Sequence, residues 1–289
     1  MNRIWMTLKR EFWEHRFIVV GLPIVLWGVL FIAFFGAGIF CNWVGEGAMF
    51  SEEVKTELGE DFSLFDSVSC GFDLSLGHFL GLMAPFLAVS WLVSLYYVLS
   101  CLYADRKERS IFFFKSLPIS EQFNVLSKLG FGSAGVMAFG IAIGWTLALV
   151  LLVFGLVGFS DVEFNLVSFL KFLIAPFIAV LVGAFWGAPL FAYLALASAA
   201  AKRSPWLLAV IPLLAIAFLE LAFFKDVRAV SFLLDHMPMD VLPYFVSGSA
   251  GELIHHFFID QGQQMLLGLV LAVAFVYIAV WCRNNKFEI

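Results

Sequence analysis

Six long apolar stretches constrain this chain more than any other feature of its sequence. Each exceeds about 18 residues with almost no charge, which is the length that a helix needs to cross a bilayer. They lie at 17–40, 78–103, 130–159, 168–200, 206–224 and 263–282. A soluble domain has about a quarter of its residues charged, whereas this chain has 13%. We therefore predict an all-α membrane protein in which residues 1–289 form a single transmembrane domain with six spans.

The first 16 residues read as an amphipathic helix. Met1, Leu8 and Phe12 recur at helical spacing, and most of the charged side chains lie on the other faces. A basic helix with aromatic residues on its apolar side suits the membrane surface, so we predict an interfacial helix at 1–16. The alternative is an extension of the first span. That span is too long for the hydrophobic region of a signal peptide, about 7–15 residues, so we expect it to be retained.

The distribution of lysine and arginine predicts the orientation. If the N-terminus is cytoplasmic, every Lys and Arg except Lys55, Lys171, Lys225 and Arg228 lies in a cytoplasmic segment. An excess of Lys and Arg in cytoplasmic loops is the strongest sequence indicator of topology. We therefore predict a multi-pass membrane protein with both termini in the cytoplasm.

The cytoplasmic loop 104–128 combines dense charge with an apolar cluster that water would not favour. Either anionic lipid or another protein could cover this cluster. Acidic Asp105 and Glu108 interrupt the basic residues, which favours a protein, because acids add nothing to binding of anionic lipid. The predicted contact residues are Asp105, Arg106, Lys107, Glu108, Arg109, Ile111, Phe112, Phe113, Phe114, Leu117 and Pro118. Ser120 and Glu121 are suited to cap the helix that follows.

Two cysteines lie in the acidic loop 41–77, on the predicted outer side. A Cys41–Cys70 disulfide fits an oxidising periplasm, and the alternative is two unpaired cysteines near a membrane boundary. No CxxC, HExxH or Cys/His cluster predicts a metal site. The spans also lack an ionisable residue at mid-depth, which argues against an ion-coupled carrier. No catalytic constellation occurs at matching depth in the spans, so an enzyme is not predicted.

The segment 225–262 is too apolar for a plain loop and is interrupted by Pro238, Pro243, Gly248 and Gly251. It predicts two or three short helices. These either dip into the outer leaflet or form a cap packed on the spans, and the sequence leaves both open. The histidines of this segment are predicted to be surface residues. Small-residue pairs, Gly77/Gly81, Gly140/Gly144 and Gly183/Gly187, predict close contacts between helices, and Pro176, Pro189 and Pro212 predict kinks.

The run from Tyr103 to Lys128, YADRKERSIFFFKSLPISEQFNVLSK, resembles the first cytoplasmic loop of ABC-2-type transporter permeases. The similarity extends to the layout of an N-terminal interfacial helix, six spans, and an apolar connection between spans five and six. Outside the loop the match is one of pattern. The resemblance implies that 104–128 forms a coupling helix on a separate ATPase, and that 225–262 forms re-entrant extracellular helices. It also implies a pathway between two permeases, faced by spans two and five.

The function implied is the permease subunit of an ATP-driven exporter of a hydrophobic or amphiphilic substrate, located in the bacterial inner membrane. The chain has no GxxxxGK[ST] motif, so ATP and magnesium are expected in the partner, with no cofactor in this chain. The expected partners are two ABC ATPase subunits, a second permease of the same or another kind, and lipid, but not nucleic acid. The alternative is a membrane scaffold or sensor subunit that binds an ATPase or other partner and carries no cargo.

Overall fold

The computed structural model describes residues 3–33, 76–107, 120–158, 166–246 and 250–285, and every regular element within these ranges is helical. Six helices are long and apolar enough to cross a membrane, which confirms the predicted all-helical, six-span class. They are Lys9–Ala33, Leu80–Lys107, Glu121–Val150, Phe169–Trp186, Pro205–Phe224 and Gly262–Asn285.

The chain begins with α1 (Arg3–Val19), which continues through a turn at Val20 into α2 (21–33). Backbone hydrogen bonds from Val20 N–H to the Arg16 carbonyl and from Ile24 N–H to the Val20 carbonyl connect the two helices. The interfacial position of 1–16 stays a prediction. Phe12 stacks on Phe139 with ring centroids 4.6 Å apart, whereas Trp13 and Phe17 are exposed. One face of α1 is thus fixed against the bundle while another remains open.

The centre of the bundle is α3 (Leu76–Lys107), which contacts helices on several sides. Its partner α5 (Val136–Gly158) is preceded by α4 (Glu121–Gly130) and a π-helical turn, Phe131–Gly135. The helical path of the third span therefore starts at Glu121, earlier than the predicted residue 130. Ser120 caps α4 as predicted, because its Oγ accepts a hydrogen bond from the backbone N–H of Phe123.

The fourth predicted span is two helices, α6 (Leu166–Trp186) and α7 (Ala188–Ala200). They meet at Gly187, just before Pro189, so the kink predicted there is confirmed. A Cβ at Gly187 would lie only 2.7 Å from Pro238 Cγ, so this glycine lets the 225–262 segment approach the break. Pro176 lies inside α6 without ending it.

The fifth span, α8 (Pro205–Phe224), packs little on the rest of the chain. Pro205 and Ala209 are its buried residues. Tyr193 of α7 donates a hydrogen bond to the Ala209 carbonyl at 2.6 Å, which fixes the start of the helix. It ends at Lys225, whose left-handed backbone (φ 56°) lets its N–H bond to the Leu221 carbonyl.

The described part of the 225–262 segment folds into short helical pieces packed on the spans. They are α9 (Ala229–Leu234), a 3₁₀ turn (Pro238–Val241), α10 (Leu242–Val246), α11 (Ala250–Ile254) and a π-helical turn (His255–Asp260). Both predicted positions of the segment, dipping into the outer leaflet and capping the spans, stay open. The prediction that its histidines are surface residues is wrong for His236. This side chain is buried and stacks on Trp186 at 4.4 Å.

The last span, α12 (Gly262–Asn285), packs along α7 and reaches α4 with its final turns. One face carries the small residues Gly268, Ala272 and Ala279, all buried, which allows the close approach to α7. The ends of α3 and α12, the start of α4 and the turn after α7 lie together. We call this the Asp105 end of the bundle.

Candidate functional site

The two ends of the predicted partner-binding loop meet in a buried ion pair. Lys128 Nζ lies 3.0 Å from Asp105 Oδ1, although 23 positions separate the two residues. The same ammonium group lies 3.1 Å from Glu11 Oε1 of α1, and Glu11 Oε2 accepts a hydrogen bond of 2.7 Å from the Tyr97 hydroxyl. The loop is therefore closed at its base and bound to the N-terminal helix.

A second cation joins this group from the other end of the chain. Arg283 of α12 lies with Nη1 3.2 Å from Asp105 Oδ2 and with Nε 2.8 Å from Glu121 Oε2. Asp105 thus receives one cation on each of its oxygens. We call Glu11, Tyr97, Asp105, Glu121, Lys128 and Arg283 the ion cluster. It links α1, α3, α4 and α12 at one level of the bundle.

Helical spacing brings the cluster together. Glu121, Asn124 and Lys128 follow each other by three and four positions on α4, so they share one face, which points into the bundle. Glu11 follows Leu8 by three positions and precedes Phe12, so it lies on the apolar side of α1. Each of these helices therefore directs a charged group inwards at the point where the helices converge.

The cluster is buried, and each of its charged groups lies beside a group of opposite charge. Glu11, Lys128 and Arg283 are 0%, 1% and 1% exposed. Three carboxylates, those of Glu11, Asp105 and Glu121, face Lys128 and Arg283, and half-buried Arg10 adds a third cation 2.8 Å from Glu11. Ions in such a place are tolerated only when paired, because their desolvation is costly. Loss of any one of them would leave an uncompensated charge in the interior.

The first predicted contact residues point towards the bundle rather than away from it. Asp105 is 4% exposed. Arg106 donates from Nη1 to the Ala201 carbonyl at 3.0 Å and from Nη2 to the Ala199 carbonyl, which binds the carbonyl end of α7. Asp105 therefore leaves little surface for a partner. The next residue but one, Lys107, is exposed. The remaining contact residues, 108–118, lie outside the described residues, as do Cys41 and Cys70.

One group of side chains near the cluster has the composition of a metal site. The ligand atoms of Glu11, Glu14 and His15 lie within 4.8 Å of one another. Ion pairs already occupy both carboxylates, however, since Glu11 contacts Lys128 and Glu14 lies 3.0 Å from Arg10. These residues are therefore explained by the ion cluster and its surroundings.

Sequence reasoning missed the inward direction of Glu11, Lys128 and Arg283. The sequence pattern indicates only that Lys128 and Arg283 contribute to the orientation. A signal was present for Glu11, because an acid on the apolar stripe of an amphipathic helix needs a buried partner. The partners come from helices that are distant in sequence, so their identity required the packed bundle.

No protein-family model, curated protein or solved structure matches this chain.

Proposed function

We propose that this chain is the membrane-spanning subunit of an ATP-driven transporter of the inner membrane, with both termini in the cytoplasm. A separate ATPase binds the loop that leaves the bundle after Lys107, and a second permease completes the pathway. The substrate is hydrophobic or amphiphilic, because α8 presents apolar side chains on nearly all faces.

The observation that supports this proposal best is the base of the loop. A loop that only covers the end of a bundle needs no buried connection to distant helices. Here Asp105, Glu121 and Lys128, at the two ends of the loop, contact Glu11 and Arg283 in the interior. A force applied to the loop would therefore act on four helices together, as a subunit driven by an external ATPase requires.

The contact surface on the loop follows from its sequence. Asp105 and Arg106 are engaged within the chain, so the partner contact begins at Lys107. Phe112, Phe113 and Phe114 supply the apolar anchor, and Glu108 and Arg109 supply charges for specificity. ATP and magnesium bind to the partner, and the sequence of this chain has no phosphate-binding motif of the P-loop type.

The test is co-purification from the native membrane. The chain is expected to bring down a P-loop ATPase, and Phe112, Phe113 and Phe114 changed together to Ala are expected to release it. The matched control changes three exposed phenylalanines of α8, Phe218, Phe223 and Phe224, to Ala. This control removes the same number of rings and is expected to retain the ATPase. The proposal fails if no ATPase accompanies the native chain, or if both triple variants retain it equally.

A further inference from the structure

The last span connects two buried contacts that lie far apart. Near one end of α12, Arg283 contacts Asp105 and Glu121 at the loop base. Towards the other end, a Cβ at Gly268 would lie 2.9 Å from His236 Nε2 and 3.2 Å from Pro189 Cγ. The 225–262 segment therefore rests directly on the backbone of α12. Gly268 and Arg283 are separated by about 22 Å of helix at a rise of about 1.5 Å per residue.

His236 fixes the 225–262 segment to this place. Its ring is buried, stacks on Trp186, and lies with Nδ1 2.6 Å from the Phe232 carbonyl. On the other side, Nε2 lies 3.4 Å from the carbonyl of Gln264 in α12. Trp186 Nε1 also donates to the Asp235 carbonyl at 3.0 Å. A sliding or tilting movement of α12 would disturb this packing, because close-packed interiors leave no free volume to absorb it.

Between these ends α12 is one uninterrupted helix without proline. Its buried face carries Met265, Gly268, Ala272, Ala279 and Arg283, so a single stripe runs from the 225–262 segment to the ion cluster. A helix held on one face at both ends transmits displacement along its axis, since its hydrogen bonds resist a change of length.

We propose that α12 is a strut that couples the loop base to the 225–262 segment, so that a change at either end alters the other. The inference deepens the proposed function and rests on it for the source of the force: an ATPase that moves the loop would open or close the far segment through α12. The coupling between the two ends of α12 needs no partner and is expected in the purified chain alone.

Hydrogen exchange of the purified chain in lipid nanodiscs, without any partner, tests the strut. Arg283→Gln is expected to raise amide exchange in 229–246 by at least about fivefold, the lower end of ordinary coupling between sites. Variants more than about 10 Å apart normally act independently, so this effect is not expected without a connection. Arg203→Gln, which removes an exposed cation at the same end, should leave exchange in 229–246 unchanged.

The reciprocal variant provides the second half of the test. Gly268→Ala, which disturbs the contact with His236, is expected to raise exchange in α4, since coupling is reciprocal. Gly262→Ala serves as its control, because a Cβ there meets nothing within 4 Å of the described residues. If Arg283→Gln fails to fold, Arg283→Lys keeps the charge while a single ammonium replaces the forked contact.

Either of two results would overturn the strut. Exchange that rises only next to each substitution shows that the ends are independent, and a uniform rise that includes α8 shows general destabilisation. Neither result bears on whether an ATPase binds the loop. Conversely, if no ATPase co-purifies with the native chain, the coupling measured by hydrogen exchange would still stand.

Discussion

At the scale of single residues, the ion cluster differs from an ordinary surface ion pair. Exposed pairs contribute about 0–1 kcal/mol, whereas removal of one partner from a buried pair costs about 3–5 kcal/mol. Lys128 is central because it contacts carboxylates from two other helices, those of Glu11 and Asp105. Its substitution would leave both acids facing the interior with one cation fewer.

We therefore expect Lys128→Met to lower the free energy of unfolding in detergent micelles by about 3–5 kcal/mol. Lys9→Met is the matched control, because Lys9 is exposed on α1 and such surface changes remain within about 0.5 kcal/mol. Reversible unfolding in mixed micelles measures both. Equal small losses for the two variants would contradict the interior role of Lys128.

The sequence shows that the segments at the Asp105 end are rich in charged residues, but it does not show which of these side chains face inwards. Positive charge next to a span indicates a cytoplasmic boundary. It does not distinguish an Arg283 that lies among lipid headgroups from one that lies between helices. The sequence of the loop alone predicts Asp105 as a contact for a partner, and that contact stays a prediction. The two cations that contact Asp105 come from α4 and α12, so its direction is decided by the packing of the whole bundle.

At the scale of helices, glycines decide where α3 and α5 approach each other. Gly140 lies against the Ser90 side chain, and a Cβ at Gly144 would lie 2.8 Å from Met83 Cε. Both positions belong to the predicted small-residue pair, which is confirmed as a contact. A Cβ at Gly183 would likewise lie 3.0 Å from Trp91. By contrast, Gly81 meets nothing within 4 Å among the described residues, so a small-residue pair alone does not identify a contact.

We expect Gly140→Ala to destabilise the chain by about 1–3 kcal/mol, the usual cost of overpacking, because the new Cβ overlaps Ser90. Gly81→Ala is the control and should be neutral or slightly stabilising, since alanine favours helix. Ser90→Gly combined with Gly140→Ala should recover part of the loss by vacating the contact. Unfolding in mixed micelles compares the three. A single variant at Gly140 that is as stable as the control would show that the two helices separate freely.

The bounds of the fifth and sixth spans were predicted closely, whereas those of the third and fourth differ from the structure. The irregularities of the helices were predicted in part. Pro189 predicts the break between α6 and α7, because proline lacks the N–H that would continue the hydrogen bonds of the helix. The π-helical turn at Phe131–Gly135 had no comparable signal. It occurs where Gly132 lies against Val98 and Tyr97 of α3, with its carbonyl accepting from Ser94 Oγ, so tertiary contact rather than local propensity explains it.

At the scale of the whole molecule, the charged side chains and the exposed apolar side chains lie in different regions. The Asp105 end carries both the ion cluster and exposed Lys107, Lys202 and Arg203, whereas α8 exposes mostly apolar side chains. An end that is rich in cations and a middle that is apolar are typical of a multi-pass membrane protein, and the proposed topology has the basic end in the cytoplasm. In this proposed topology, the loop that follows Lys107 would lie where ATP is available to a partner.

The orientation leads to a prediction about reporter fusions. Fluorescent protein fused after Ile289, or ahead of Met1, is expected to be bright, since the proposed topology has both ends in the cytoplasm. Alkaline phosphatase fused after Asp61, in the acidic loop 41–77, is expected to be active, because it folds only on the oxidising side. Phosphatase fused after Lys202 serves as the matched control and is expected to be inactive. An active fusion after Lys202 together with an inactive one after Asp61 would invert the topology, and the loop could then no longer meet a cytoplasmic ATPase.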